Sequence, residues 1–311
     1  MNGADTDVVI IGAGPAGLSA ALNLVRARRK VMLIDSNRPR NSATLFSHGY
    51  LTRDGITPHE LRRLGRKELM AYSGVEHHLG HVERVSRVDG GFEIEASRVN
   101  ASPDRTVTAP VVLIASGLRE TLPALPSIRS YYGIGLFSCI ECDGYERSDK
   151  ALALIGETSD LASRALLIAQ WSDDLTVFTN GVAPIGRAQE ALLAERGVRI
   201  ERRPVVDVVG EGSTVSAVLL ADGTRVPIEG GFVRPRWDAA LEYAASLGLA
   251  TDGWGLLVTD AAGRTNVTGV YAAGDSTSPG PQQLIVAAGA GARAAATINR
   301  DLIGIPRTHG H

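Results

Sequence analysis

The stretch that most constrains how this chain folds is residues 7–37, DVVIIGAGPAGLSAALNLVRARRKVMLIDSN. Residues 8–11 are a short apolar, β-branched run, the composition of a strand buried in a parallel sheet. Gly12, Gly14 and Gly17 follow as G-x-G-x-x-G, residues 18–27 carry a helical pattern, and residues 31–34 read as a second strand ending in Asp35. Each part has a physical role. Gly12 permits the tight turn, Gly14 lets the backbone approach a pyrophosphate, and Gly17 lets the helix pack closely on the strand. The helix N-terminus presents its partial positive charge to phosphate, and Asp35 can accept hydrogen bonds from a ribose diol. Three glycines alone would be weak evidence. The full order of strand, glycines, helix, strand and acid predicts a dinucleotide site.

Near the C-terminus, residues 270–273 read as a strand leading into Gly274 and Asp275. After a Pro/Gly-rich turn, residues 284–296 read as a helix of small residues. Between the two ends lies a second βαβ pattern: strand 151–155, helix 160–171 and strand 175–179. Just before it stands FSCIECDGYE, which holds both cysteines of the chain, Cys139 and Cys142.

These motifs, in this order, resemble the flavoprotein reductases with two dinucleotide-binding domains, specifically the low-molecular-weight thioredoxin reductases. VVLIASGL at residues 111–118 is similar to that family's A-T-G crossing, with Ser116 in place of Thr. The resemblance implies an α/β fold of two Rossmann-like domains, the second inserted in the first. An FAD domain would span 1–116 and 249–311, and a central CxxC-bearing domain 117–248. It assigns FAD to the first site, with Gly12, Gly14, Pro15, Ala16, Gly17, Asp35, Asn41, Gly274, Asp275, Gln283 and Leu284 at the cofactor.

The second nucleotide motif departs from the family. Where it needs Gly, Gly and Ala or Gly, this chain has Gly156, Thr158 and Leu161. A Cβ at 158 obstructs approach to a pyrophosphate, Leu161 is too large for close helix–strand packing, and Glu157 would repel phosphate. Thr179, Asn180 and Gly181 stand where the reductases carry the cations that bind the 2′-phosphate of NADPH. The expectation is that NADPH is not used, with Arg187 or Arg202 as cations that would have to serve if it were.

Three readings of the CxxC compete. Zinc needs about four ligands, and the chain has two cysteines and no His nearby, so no metal site is expected. Two inert buried thiols fit poorly with the flavin motifs. A redox pair needs one thiol to exchange and one to resolve. In the resembled family the second cysteine, here Cys142, faces the flavin, so Cys139 exchanges with substrate and Asp143 acts as acid/base.

RPRNSATLFSHGYLTRDGITPHELRRLGRKEL at residues 38–69 has no counterpart in thioredoxin reductases beyond its position before the flavin. With CDGYE and QWSDDLTVFTNG it resembles the dithiol oxidases of gliotoxin and holomycin biosynthesis. The resemblance implies an enzyme of antibiotic-type biosynthesis that closes a disulfide in a small-molecule dithiol, with molecular oxygen as acceptor. Much of that subgroup has His after the second cysteine, where this chain has Asp143. His48, in a Gly-containing loop, is the second candidate base. Asp54 and Gly55 read as a turn, Trp237 as a candidate for the gap between the domains, and His77, His78 and His81 as an exposed loop and strand. The terminal THGH reads as a frayed tail. Two alternatives stay open: a thioredoxin-type disulfide reductase using NADPH or another reductant, and a non-enzymatic redox-sensing flavoprotein.

A formal net charge of −2 gives no support for nucleic-acid binding. The acidic start lacks the basic flank of a secretory signal, and no apolar run reaches the roughly 18 residues of a membrane helix. A cytoplasmic protein is expected, and the resemblance implies a homodimer.

Overall fold

The structure, a computed structural model, describes residues 4–100, 102–277 and 280–305. The terminal THGH therefore lies outside the described residues. Strand Val8–Ile11 is wholly buried and pairs in parallel with Val31–Asp35 on one side and Val111–Ile114 on the other. The sheet has seven strands, in the order Val270–Ala272, Val111–Ile114, Val8–Ile11, Val31–Asp35, Val75–Val88, Gly91–Arg98, Arg105–Ala109. The last three form an antiparallel meander. The strand from the C-terminal segment thus enters the sheet built by the N-terminal one.

Side chains alternate across this sheet, so its two faces build two cores. Val8, Ile10, Leu33 and Leu113 pack under helices Pro15–Arg26 and Leu284–Leu302. Val9, Ile11, Met32 and Ile34 pack against Phe92 and Ile94 of the meander. The second helix runs six residues past its expected end at 296, because Ala294, Ala295 and Ile298 continue the buried stripe.

The second sheet is fully parallel, with order Arg199–Glu201, Leu175–Phe178, Leu152–Ile155, Gly230–Val233, Leu136–Phe137. Its helix runs Leu161–Ile168, shorter than the expected 160–171. A three-stranded antiparallel sheet, Val205–Glu211, Thr214–Leu220 and Arg225–Pro227, packs beside it. The two chain crossings between the large sheets, Arg119–Thr121 and Arg236–Asp238, pair with each other as a short antiparallel ribbon.

The histidines need correction. His77 and His78 pair with Leu33 and Ile34 inside the seven-stranded sheet, and His78 is buried while His81 is exposed. Parallel pairing to a central strand covers the start of Val75–Val88, which its polar composition does not announce. Among the described residues no helix is long and apolar enough to cross a membrane, and no group of three or more metal-binding side chains occurs.

Candidate active site

The first glycine turn has the shape a dinucleotide requires. Gly12 has φ +103, and a Cβ there would lie 2.4 Å from the carbonyl oxygen of Ala115. A Cβ on Gly17 would lie 1.8 Å from the Gly12 carbonyl oxygen, whereas one on Gly14 would meet open space. Helix Pro15–Arg26 begins there with Pro at its start and no side-chain cap, so its first amides face outward. Ala16 is buried against the C-terminal helix. Asp35 is buried at the end of its strand. Its Oδ1 accepts from the Ala13 amide at 3.4 Å, and its Oδ2 is buried with no hydrogen-bond partner. An orphaned carboxylate oxygen beside an open glycine turn fits a ribose diol and a pyrophosphate, so the residues present suit FAD.

Asp275 follows Gly274 as expected, but it is already engaged. Arg40 Nη2 donates to its Oδ2 at 2.8 Å and Arg40 Nη1 donates to Gln282 at 3.4 Å. Burial raises the Asp275 carboxyl above its ordinary value, and Arg40 opposes that shift. Asn41 sits in the helical turn Arg40–Ala43, and with Gln283 and Leu284 it lines the cavity described next.

Cys139 and Cys142 form a disulfide with Cα atoms 5.3 Å apart, across the single helical turn Ile140–Asp143. It opens onto a cavity of about 280 Å³ that is also lined by His48, Asp143, Arg164 and Trp237. Asp143 ends the turn and is buried; desolvation pushes its carboxyl up to about 7, with His48 drawing it down and Glu146 adding to the rise. His48 Nδ1 lies 3.6 Å from Asp54 and 3.7 Å from Glu146. Its loop is held by the Ser47–Ile56 bridge and by the Gly49 amide donating to Asp54 at 2.8 Å. The expected turn at Asp54 and Gly55 is therefore what aims His48. Cys139, Cys142, Asp143 and His48 all face one space.

The second glycine turn is closed by its own side chains. Asn180 donates to Glu157 at 2.6 Å and accepts from the Val205 amide at 2.9 Å. Thr158 donates to Asp160 at 2.6 Å, and Arg234 Nε donates to the other Asp160 oxygen at 2.8 Å. Arg234 also passes over the turn, so a Cβ on Gly156 would meet its Cβ at 2.7 Å. Leu161 does pack tightly: it is fully buried, and its Cδ1 would lie 2.8 Å from that same Cβ, so a large residue fits here because position 156 has no side chain. Arg202 is ion-paired with Glu190, and Arg187 begins helix Arg187–Glu195.

Several residues around the cavity were not singled out by sequence. Arg40 and Arg234 lie 5.5 and 4.2 Å from the Trp237 ring, cation–π distances. Trp237 Nε1 donates to Glu120 at 3.0 Å, and the Tyr132 hydroxyl joins Glu120 at 2.6 Å to Ser138 at 2.8 Å. Trp237 thus does stand between the two large sheets. For Arg40 the only signal was its place beside Asn41; for Arg164 there was none.

A family model described as pyridine nucleotide-disulphide oxidoreductase matches residues 6–291. The crystal structure of a putative thioredoxin reductase, TrxB, from Bacillus anthracis is 36% identical, with TM-score 0.88, and covers 96% of this chain and 98% of that one. The crystal structure of HlmI is 35% identical, with TM-score 0.87, over 96% of this chain and 92% of that one. The thioredoxin reductase sirT of Leptosphaeria maculans is 28% identical over 313 residues, 96% of this chain and 94% of its own length. FAD is the cofactor this family implies, in agreement with the cradle around Gly12 and Asp35. The chain belongs to the pyridine nucleotide-disulphide oxidoreductase family and has the thioredoxin-reductase-like fold of two Rossmann-like domains.

Proposed function

We propose that this protein is an FAD-dependent dithiol oxidase that closes an intramolecular disulfide in a small-molecule dithiol of natural-product type. The observation that carries the reading is the second nucleotide turn. Glu157–Asn180 and Asp160–Arg234 fill it with this chain's own polar contacts, while the FAD cradle and the cysteine pair are complete. Two carboxylates at that turn oppose phosphate, and Arg234, which crosses it, is held by Asp160. Electrons then enter from a dithiol rather than from NADPH.

One substrate sulfur attacks Cys139, forming a mixed disulfide and releasing Cys142 as a thiolate. The second substrate sulfur attacks the first, closing the cyclic disulfide and releasing Cys139. The substrate loses two hydrogens and the cysteine pair gains them. Asp143, held near neutrality by burial, accepts the proton of the incoming thiol and returns one to the pair. His48 stabilises the ionised Asp143 across the cavity. Bound FAD supplies the two-electron acceptor for the reduced pair and the route to oxygen, which leaves as hydrogen peroxide. The FAD domain comprises 1–116 and 249–311, the central domain 117–248, and the protein works as a cytoplasmic homodimer.

The test is anaerobic mixing of the purified flavoprotein with NADPH and, separately, with a small dithiol, followed by flavin absorbance and then oxygen uptake. The expected result is bleaching by dithiol and peroxide on aeration. Rapid bleaching by NADPH alone would sink the proposal in favour of a disulfide reductase.

A further inference from the structure

Arg164 stands beside the disulfide with its hydrogen-bonding capacity largely unspent. It projects from helix Leu161–Ile168 into the cavity that holds Cys139 and Cys142. One Nη donates to the carbonyl oxygen of Ser138 at 2.7 Å, the residue directly before Cys139. Its Nε is buried with no acceptor. Among the described residues no carboxylate makes an ion pair with it; Asp160, in the same helical turn, is taken by Arg234 and Thr158. Burial works against its charge and Arg234 adds to that effect, while Asp160 and Glu141 partly offset it from beyond ion-pair distance. An unsatisfied buried donor costs about 1–3 kcal/mol, and more when charged. A residue kept only for packing would not need a guanidinium there, since an apolar chain of similar length fills the same space without that cost. The cavity onto which Arg164 opens offers a way in for an acceptor that would complete its bonding.

We infer that Arg164 docks an acceptor oxygen, carbonyl or carboxylate, carried by the dithiol next to its attacking sulfur. This rests on the dithiol reading above. The Ser138 contact fixes the guanidinium one residue from the exchanging Cys139, so an acceptor on the sulfur-bearing carbon or its neighbour meets Arg164 when the sulfur meets Cys139. The planar fork suits either oxygen type, and the match selects dithiols flanked by amide or acid groups over plain alkyl dithiols.

Three probes that close the same six-membered disulfide separate the possibilities: 1,4-butanedithiol, meso-2,5-dimercaptoadipate and its tetramethyl diamide. The holoprotein is mixed with each probe without oxygen, and the freed cysteines are trapped with a maleimide and weighed. Counted together with bleaching of the flavin, which takes up electrons that leave the pair, this reads exchange independent of oxygen chemistry. Arg164→Met is expected to slow exchange at least about tenfold more with the acceptor-bearing probes than with butanedithiol. Arg164→Lys should restore part of the rate with the acid. A fall with the acid alone identifies a carboxylate as the ligand, and a fall with the diamide alone identifies a carbonyl. An equal fall with all three probes, or no fall, overturns the assignment. Flavin content and melting temperature check folding, and Arg164→Gln provides the same comparison if the Met variant does not fold. A wild-type protein that exchanges with the probes yet takes up no oxygen refutes the oxidase reading and leaves this one standing. One that exchanges with none refutes both.

Discussion

Replacing Asp143 by Asn tests the chemistry and the physics of the site together. The side chain is 8% exposed and its carboxyl is pushed from 3.8 up to about 7, chiefly by desolvation. The native state therefore holds a proton that the unfolded chain releases. Its stabilising effect is full below the ordinary value and is lost as pH rises toward about 7, after which the curve is level. The gap corresponds to about 4 kcal/mol. Asn cannot ionise, so the variant should gain stability relative to wild type as pH rises, by up to that amount. Urea unfolding of both proteins from about pH 4.5 to about pH 8.5 measures the difference. In the rate of exchange with dithiol, wild type should rise about tenfold between about pH 6 and about pH 8 as Asp143 ionises. The variant should lose that inflection and run about 100-fold or more slower. A stability difference that is flat with pH, or an inflection near neutrality that survives the substitution, would refute the burial argument and the assignment of the base.

Two further outcomes follow from the geometry. Cys142→Ser should keep its flavin yet show at least about 100-fold slower bleaching by dithiol, because Cys139 alone cannot form the resolving disulfide; undiminished bleaching in stopped flow would remove Cys142 from its role. Gly17→Ala places a Cβ where the Gly12 carbonyl oxygen lies 1.8 Å away and its carbon 3.0 Å away, and these are backbone atoms rather than the end of a flexible side chain. A loss of about 3 kcal/mol and of bound flavin is expected, and a normal melting temperature with full flavin content would contradict it.

Local pattern carried much of the fold into view. Strand Val8–Ile11 lies where its β-branched run places it, and the strands read at 151–155 and 175–179 differ from Leu152–Ile155 and Leu175–Phe178 by one residue at one end. Such runs are legible because burial on both faces leaves a continuous apolar signature. Helix ends were less so: Leu161–Ile168 stops short because the segment after it turns back, with the Ala169, Gln170 and Trp171 amides closing a turn onto the carbonyls of Ala165, Leu167 and Ile168. His78 was misread because polar residues in a strand that ends in an antiparallel meander look exposed from composition alone.

For the site, the chain itself determined the glycine turn, the acid at its second strand and the spacing of Cys139 and Cys142, since each is a contact between near neighbours whose geometry a few residues dictate. It also showed that position 158 bears a side chain and that no cation follows the second strand of the central unit. Only tertiary structure decided what replaced those functions and what surrounds the disulfide. Arg40 meets Asp275 across 235 positions, Trp237 meets Glu120 across 117, and Arg164 meets Ser138 across 26. No periodicity links such residues; sheet order and the paired crossings bring them together. The same packing, by taking Asp143 out of water, moves its titration to neutrality, a property of its surroundings that the letter in the sequence does not contain.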